Sequence, residues 1–215
     1  MQAAYAENFT AGVDVERLPS GWTRCTLDSV CSKIGSGATP TGGKAGYQTS
    51  GISLIRSTNV LDYEFSYDDL AHISDEQANA LDGVTVQEND VLFNITGVSV
   101  ARCCIVPPDV IPARVNQHVM IVRPFDGEPM SYYLLCVLCA NENKQILLGI
   151  GQSGSTREAI NQQELKGFII VKPPEHIVND FGKMAATIFR KINDNSSEIL
   201  RLVELQAILL SKLAA

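Results

Sequence analysis

An α+β fold is predicted: a domain built on a mixed, mostly antiparallel curved sheet, followed by a long C-terminal coiled-coil helix. Two observations carry this. Short runs of β-favouring residues, punctuated by glycine and proline, recur between residues 51 and 171, with helical texture late among them. From Val178 to Leu213, apolar residues then recur at alternating steps of three and four. The chain divides accordingly into a leader (1–17), a mixed domain (18–174) and a long helix (175–215).

Residues 1–17 show no sustained period, which predicts a poorly ordered leader or a short helix. Leu18-Pro19-Ser20-Gly21-Trp22 makes a tight turn that anchors the single tryptophan. Residues 22–34 fit a strand or short helix. They run into 35–43, where four glycines and a proline in nine residues predict a loop. Strands are expected over 51–56, 84–86, 90–95, 100–106 and 118–123, bounded by turn residues and by Pro107, Pro108 and Pro124. Residues 131–150 are most simply one helix, and 166–171 a last strand stopped by Pro173-Pro174.

Beyond Glu175 the apolar seam runs through Val178, Phe181, Ala185, Ile188, Ile192, Asn195, Ile199, Leu202, Leu209 and Leu213. A helix of about 38 residues is ~57 Å long, too long for the preceding domain to cover. A coiled coil with a partner helix is therefore expected, and Asn195 on the seam fits a buried polar residue that sets register.

Composition excludes some classes. The chain is 45% apolar, against the low hydrophobicity of disordered chains, and no apolar run reaches the ~20 residues of a membrane span. The first 20 residues lack the apolar core of a signal peptide. A cytoplasmic, non-membrane protein is expected. The six cysteines agree, being scattered through apolar segments as reduced core thiols; a zinc site would need convergent pairs, and the three histidines supply none. No metal site is expected. The net charge of −7 is uneven: nine of the 24 acids lie in residues 61–90, which hold no Lys or Arg, leaving 15 acids against 17 bases elsewhere. A local patch, rather than the total, decides whether a nucleic acid can bind.

Several segments fall in a telling order. Leu18-Pro19-Ser20-Gly21-Trp22 is followed by Leu27 and by Gly35-Ser36-Gly37-Ala38-Thr39-Pro40. Then come Gly51-Ile52-Ser53-Leu54-Ile55-Arg56-Ser57-Thr58-Asn59-Val60, Asn89-Asp90-Val91-Leu92-Phe93-Asn94-Ile95-Thr96-Gly97 and Val115-Asn116-Gln117-His118-Val119. Gly154-Ser155-Thr156-Arg157 leads to Lys172-Pro173-Pro174, and Ala207-Ile208-Leu209-Leu210-Ser211-Lys212-Leu213 ends the helix. In this order the motifs resemble the specificity subunit of Type I restriction–modification systems over residues 18–213, with Asn89 where the family usually has glycine.

The resemblance implies a target recognition domain followed by one spacer helix. Family members normally carry two such units, whose spacer helices pair antiparallel and set the distance between two DNA half-sites. With one unit, this chain is expected to be a half-subunit that forms a homodimer through its helix, or a fragment. The implied partners are double-stranded DNA, methyltransferase subunits and a restriction (translocase/nuclease) subunit. S-adenosylmethionine, ATP and Mg²⁺ are expected on those partner chains, and no cofactor on this one.

Reading base edges takes polar side chains on loops, with Arg and Lys on the phosphates. The candidates are Lys33, Ser36, Thr39 and Lys44 around the first glycine-rich loop, and Arg56, Ser57, Thr58 and Asn59 at a strand end. Arg102, Arg114, Asn116 and Gln117 follow, then Gln152, Ser155, Thr156 and Arg157 in a second loop. Arg56 and Arg157 stand foremost. A DNA reader should gather these on one surface, with the acidic 61–90 segment opposite.

No catalytic site is expected. The Asn-Pro-Pro-Tyr type motif of adenine methyltransferases is missing, and Gly43-Lys44 is followed by Ala45, so the loop is no Walker A. Pro108-Asp109 and Glu164-Leu165-Lys166 align with a nuclease pattern only as short chance pieces. The alternative reading is a non-DNA interaction module that assembles a complex through its coiled-coil helix and docks protein on the acidic segment.

Overall fold

Nine strands and five α-helices organise the described chain. The computed structural model describes residues 18–153 and 159–213, so the leader and Ser155, Thr156 and Arg157 lie outside the described residues. Strand β1 (Thr23–Thr26) pairs antiparallel with β9 (Ile169–Lys172), closing the domain around its two ends. A four-stranded antiparallel sheet follows the order β2 (Cys31–Ser36), β8 (Val119–Pro124), β5 (Val91–Asn94), β6 (Cys103–Ile105). A three-stranded sheet has the order β4 (Ala71–Ile73), β3 (Ile52–Ile55), β7 (Ala113–Val115), with β3 and β7 parallel. The fold is α+β with mostly antiparallel pairing.

Alternation along the strands explains the layers. Successive strand side chains point to opposite faces, and here they feed two different cores. Val91, Phe93, Met120, Val122 and Cys103 face one, whereas Leu92, Ile121, Val119 and Cys104 face the other. The first core is covered by helix α2 (Glu128–Cys139), whose residues from Met130 to Cys139 are all buried. A helix apolar on every side belongs inside. The second core is shared with Ile55, Ala113 and Val115 of the smaller sheet. On the far side of that sheet, Leu54, Ala71 and Ile73 pack with Ala78 and Leu81, around helix α1 (Asp75–Ala80). Ser74 starts α1 by a reciprocal cap: its hydroxyl accepts from the Gln77 N–H at 3.2 Å, and the Gln77 side chain accepts from the Ser74 N–H at 3.0 Å.

Three expectations are corrected. Residues 84–86 form no strand; a 3₁₀ turn (Asp82–Val84) leads to a single bridge between Thr85 and Arg114. The 131–150 helix is two: α2 stops at Ala140, whose ψ of 134° breaks the spiral, and α3 (Asn141–Ser153) begins anew. Helix α4 (Gln162–Lys166) then leads to β9.

The third concerns the long helix α5 (Glu175–Leu213). Its first turns are part of the domain. Val178, Phe181, Ala185 and Phe189 are buried in the first core, with Phe181 edge-on to Tyr133 and Phe189 stacked 5.2 Å from Tyr132. Val178, Phe181 and Ala185 therefore face their own domain rather than a partner helix. Beyond Phe189 no described side chain of α5 is buried, and Ile192, Asn195, Ile199, Leu202, Leu209 and Leu213 are exposed. Among the described residues no helix is long and apolar enough to cross a membrane.

Candidate nucleic-acid interface

Strand direction brings distant segments to one rim. β2, β3, β5 and β7 all finish there, β8 starts there, and the turn before β6 lies beside them. The Gly37 N–H donates to the Asn116 carbonyl at 3.1 Å, the Asn116 N–H to the Ile55 carbonyl at 3.0 Å, and the Ile95 N–H to the His118 carbonyl at 3.0 Å. The approach of Gly37 to the β7 end is so close that a Cβ would lie 1.7 Å from the Val115 carbonyl oxygen. Only glycine fits at this seam. Ser36, Arg56, Ser57, Thr58, Arg102, Asn116 and Gln117 are thereby drawn together from four stretches of chain.

The described residues on either side of 154–158 meet the same rim. Ala159 bridges Thr96 and donates to the Gly151 carbonyl at 3.1 Å, and the Ile160 N–H donates to the Ile95 carbonyl at 2.9 Å. Gln152, at the end of α3, is exposed beside this anchor.

Not every candidate is free to face a ligand. Asn59 is fully buried. Its side-chain oxygen accepts from the Arg56 N–H, and its amide donates to the Ser66 and Asp68 carbonyls, all at 3.0 Å. It builds the 57–69 loop from inside. Arg114 is 7% exposed, donating to the Ala78 carbonyl at 3.0 Å and to Asp82 at 3.0 Å. Burial removes both from the expected contact surface. Asn116 is also buried, its side-chain oxygen accepting from the His118 N–H at 2.9 Å. Lys33 points away from the rim and donates to the Gly83 carbonyl at 2.5 Å.

Arg56 is half-committed. Its guanidinium donates to the Asp69 carbonyl and lies 5.6 Å from the Tyr47 ring centroid, a cation–π contact that ties the 37–51 loop to the rim. Thr39 and Lys44 are exposed on that loop.

Sequence reasoning missed two groups. Asn94, fully buried at the end of β5, donates to the Ser57 carbonyl at 2.9 Å and the Val60 carbonyl at 3.1 Å, positioning the 57–60 turn. An Asn inside an apolar strand was its only signal. Thr96 and His118 form the other group, 2.8 Å apart, with the Gln117 amide 3.0 Å from the second ring nitrogen. That clamp fixes where Gln117 points.

The acidic segment is not a single opposing face. Asp62 pairs with Lys144, Asp82 with Arg114 at 3.0 Å, and Asp90, fully buried, takes both arms of Arg123 at 2.6 and 2.7 Å. Asp69 lies at the rim itself, through its bond with Arg56. Three of the segment's nine acids are thus ion-paired with the domain's own cations, and of the nine only Asp90 is buried.

The thiols are embedded. Five of the six cysteines are buried, and burial pushes Cys31 and Cys136 up to about 12 and Cys103 and Cys104 well above the ordinary thiol value. Among the described residues, no three His, Cys, Asp or Glu side chains gather as a metal site would need.

Neither a family model nor a curated protein matches the chain. Solved structures do. A structure concerned with complex assembly and conformational transition of the type I restriction–modification system superposes at a TM-score of 0.59 with 22% identity, covering 94% of this chain and 48% of that one. The HsdS subunit from Thermoanaerobacter tengcongensis gives 0.57 with 20% identity, covering 94% and 47%. The S subunit of a Type I restriction–modification system from M. genitalium gives 0.65 with 13% identity, covering 97% and 52%. The chain spans about half the length of each. Two stacked sheets, a buried helix and a long terminal helix are thus the fold of the specificity subunits of Type I restriction–modification systems, over about half their length.

Proposed function

We propose that this chain is a sequence-specific DNA-binding unit that reads one half-site and directs separate methyltransferase and restriction subunits, with no chemistry of its own. The supporting observation is the gathering of Ser36, Arg56, Ser57, Thr58, Arg102 and Gln117 at one sheet rim, where Gly151 and Ala159 also meet. Reading a duplex takes such a cluster: hydrogen-bonding side chains on tips, seated on a rigid scaffold, with guanidinium groups for phosphates. The ion pairs of Asp62, Asp82 and Asp90 tie three of the acidic segment's nine carboxylates to the domain's own cations.

In this reading the exposed outer part of α5, carrying Ile188, Ile192, Asn195, Ile199, Leu202, Leu209 and Leu213, pairs with the same helix of a second copy. The pair then presents two rims to a split, symmetric site. S-adenosylmethionine, ATP and Mg²⁺ belong to the partner chains, and the complex works in the cytoplasm.

The test is to co-express the chain with its methyltransferase subunit and sequence the methylated positions. A symmetric split motif that appears only when the chain is present is the expected result. Methylation independent of the chain, or without a shared motif, would overturn the reading.

A further inference from the structure

One side chain at the rim breaks its polar character. Val98 is 96% exposed, the most exposed large apolar side chain among the described residues. A lone exposed apolar residue needs no explanation by itself; its mounting does. Val98 stands at the tip of the turn between β5 and β6, and both ends of that turn are firmly held. Gly97 enters it with a φ of +70°, and Ala101 leaves it at +63°. Ala101 is fully buried, so an L side chain holds the left-handed conformation inside the core, an unfavourable arrangement that persists only where the surroundings enforce it. The Val100 N–H donates to the Gly97 carbonyl at 2.9 Å, the Ala101 N–H to the Asn94 carbonyl at 2.9 Å, and the Arg102 N–H to the Ser99 carbonyl at 3.1 Å. Val100, next to the tip, is buried. The turn is a rigid stalk bearing a β-branched side chain with little rotamer freedom to lose on contact.

Its neighbours define the ligand. Arg102 and Ser99 share the turn, and Gln117 stands behind it through the His118–Thr96 clamp. A partner for this tip offers an isolated methyl group beside hydrogen-bond acceptors. In the major groove, thymine alone does so, with its C5-methyl next to O4. Resting on the DNA-reading role proposed above, we infer that Val98 is a specificity-determining residue that packs against a thymine methyl in the half-site.

The experiment uses the full chain and a randomised duplex library, first to find the enriched half-site and then to replace each of its thymines singly by deoxyuridine, which lacks only the methyl. Wild type is expected to lose about fourfold in affinity at one thymine, the scale of one buried methyl group. Val98→Ser is expected to bind the thymine and deoxyuridine duplexes equally while still enriching the remaining positions. If wild type enriches a motif but no deoxyuridine costs affinity, or if Val98→Ser keeps the same discrimination, this inference falls and the DNA-reading role stands. Loss of binding by Val98→Ser to both duplexes alike would also overturn it, pointing to a wedge between base steps. If wild type enriches no sequence, both fall together.

Discussion

Gly182 of α5 lies directly on Pro129 at the start of α2: a Cβ at position 182 would sit 2.3 Å from the Pro129 Cα and 2.7 Å from its carbonyl oxygen. This contact lets the long helix seat Phe181 and Ala185 in the core, and with them sets the direction in which the rest of α5 leaves the domain.

Gly182→Ala tests that seating. Alanine favours the helix by about 1 kcal/mol, but the atoms it meets are backbone and a proline ring, which cannot rotate away. Overpacking of this kind costs about 1–3 kcal/mol, so net destabilisation is expected, read as a lower midpoint in urea. An unchanged or higher midpoint would mean that α5 does not rest on Pro129.

Asn59 supplies a second test, with a pH signature. Its one side chain satisfies the Arg56 N–H and the Ser66 and Asp68 carbonyls, so Asn59→Ala strands buried polar groups and is expected to cost about 1–3 kcal/mol. Asn59→Asp keeps the acceptor but turns a carboxyl toward two carbonyls in a fully buried site. Burial and the two acceptors favour the protonated acid, so its folded pKa rises above the unfolded value. Such a group binds more protons folded than unfolded. The variant is therefore closest to wild type below the unfolded carboxylate pKa of about 4, and its deficit grows as pH rises through the folded value. Urea midpoints at pH 4 and pH 7.5 check this; a deficit that shrinks with rising pH would contradict the assigned environment.

These residues also mark where sequence reasoning stops. β5 and β8 are legible because their apolar runs are bounded by turns. β4 and β7 are three residues each, too short to show a period. α1 carries a signal in Ser74 and Gln77 at capping-box spacing, but its six residues are too few to show a helical period. Residues 84–86 carry β-favouring side chains yet find only one bridge, and pairing depends on tertiary position. At the rim the limit is burial. Asn59 and Arg114 are hydrogen-bonding side chains just as Thr58 and Arg102 are, and only the packing of distant segments separates supports from tips. The nine acids of 61–90 likewise looked like one uniform surface because the partners of three of them, Lys144, Arg114 and Arg123, lie outside that segment.

The seam of α5 poses the same ambiguity in its sharpest form, since steps of three and four look identical whether the cover is the helix's own domain or another chain. Val178, Phe181 and Ala185 are buried, whereas Ile199 is 60% exposed, Leu202 57% and Leu209 61%. A helix of that length gains little stability from propensity alone and relies on packing of its apolar face. If a second copy supplies that packing, sedimentation equilibrium of the whole chain should give a mass near twice 23.3 kDa. Leu202→Asp with Leu209→Asp should return it to the single-chain mass, because two carboxylates cannot be buried without partners. Helical circular dichroism should fall with it, as the uncovered turns fray, while the near-ultraviolet signal of Trp22 stays unchanged because the domain keeps its own core. A wild-type chain that remains monomeric at high concentration with its helical signal intact would remove self-association from the proposal.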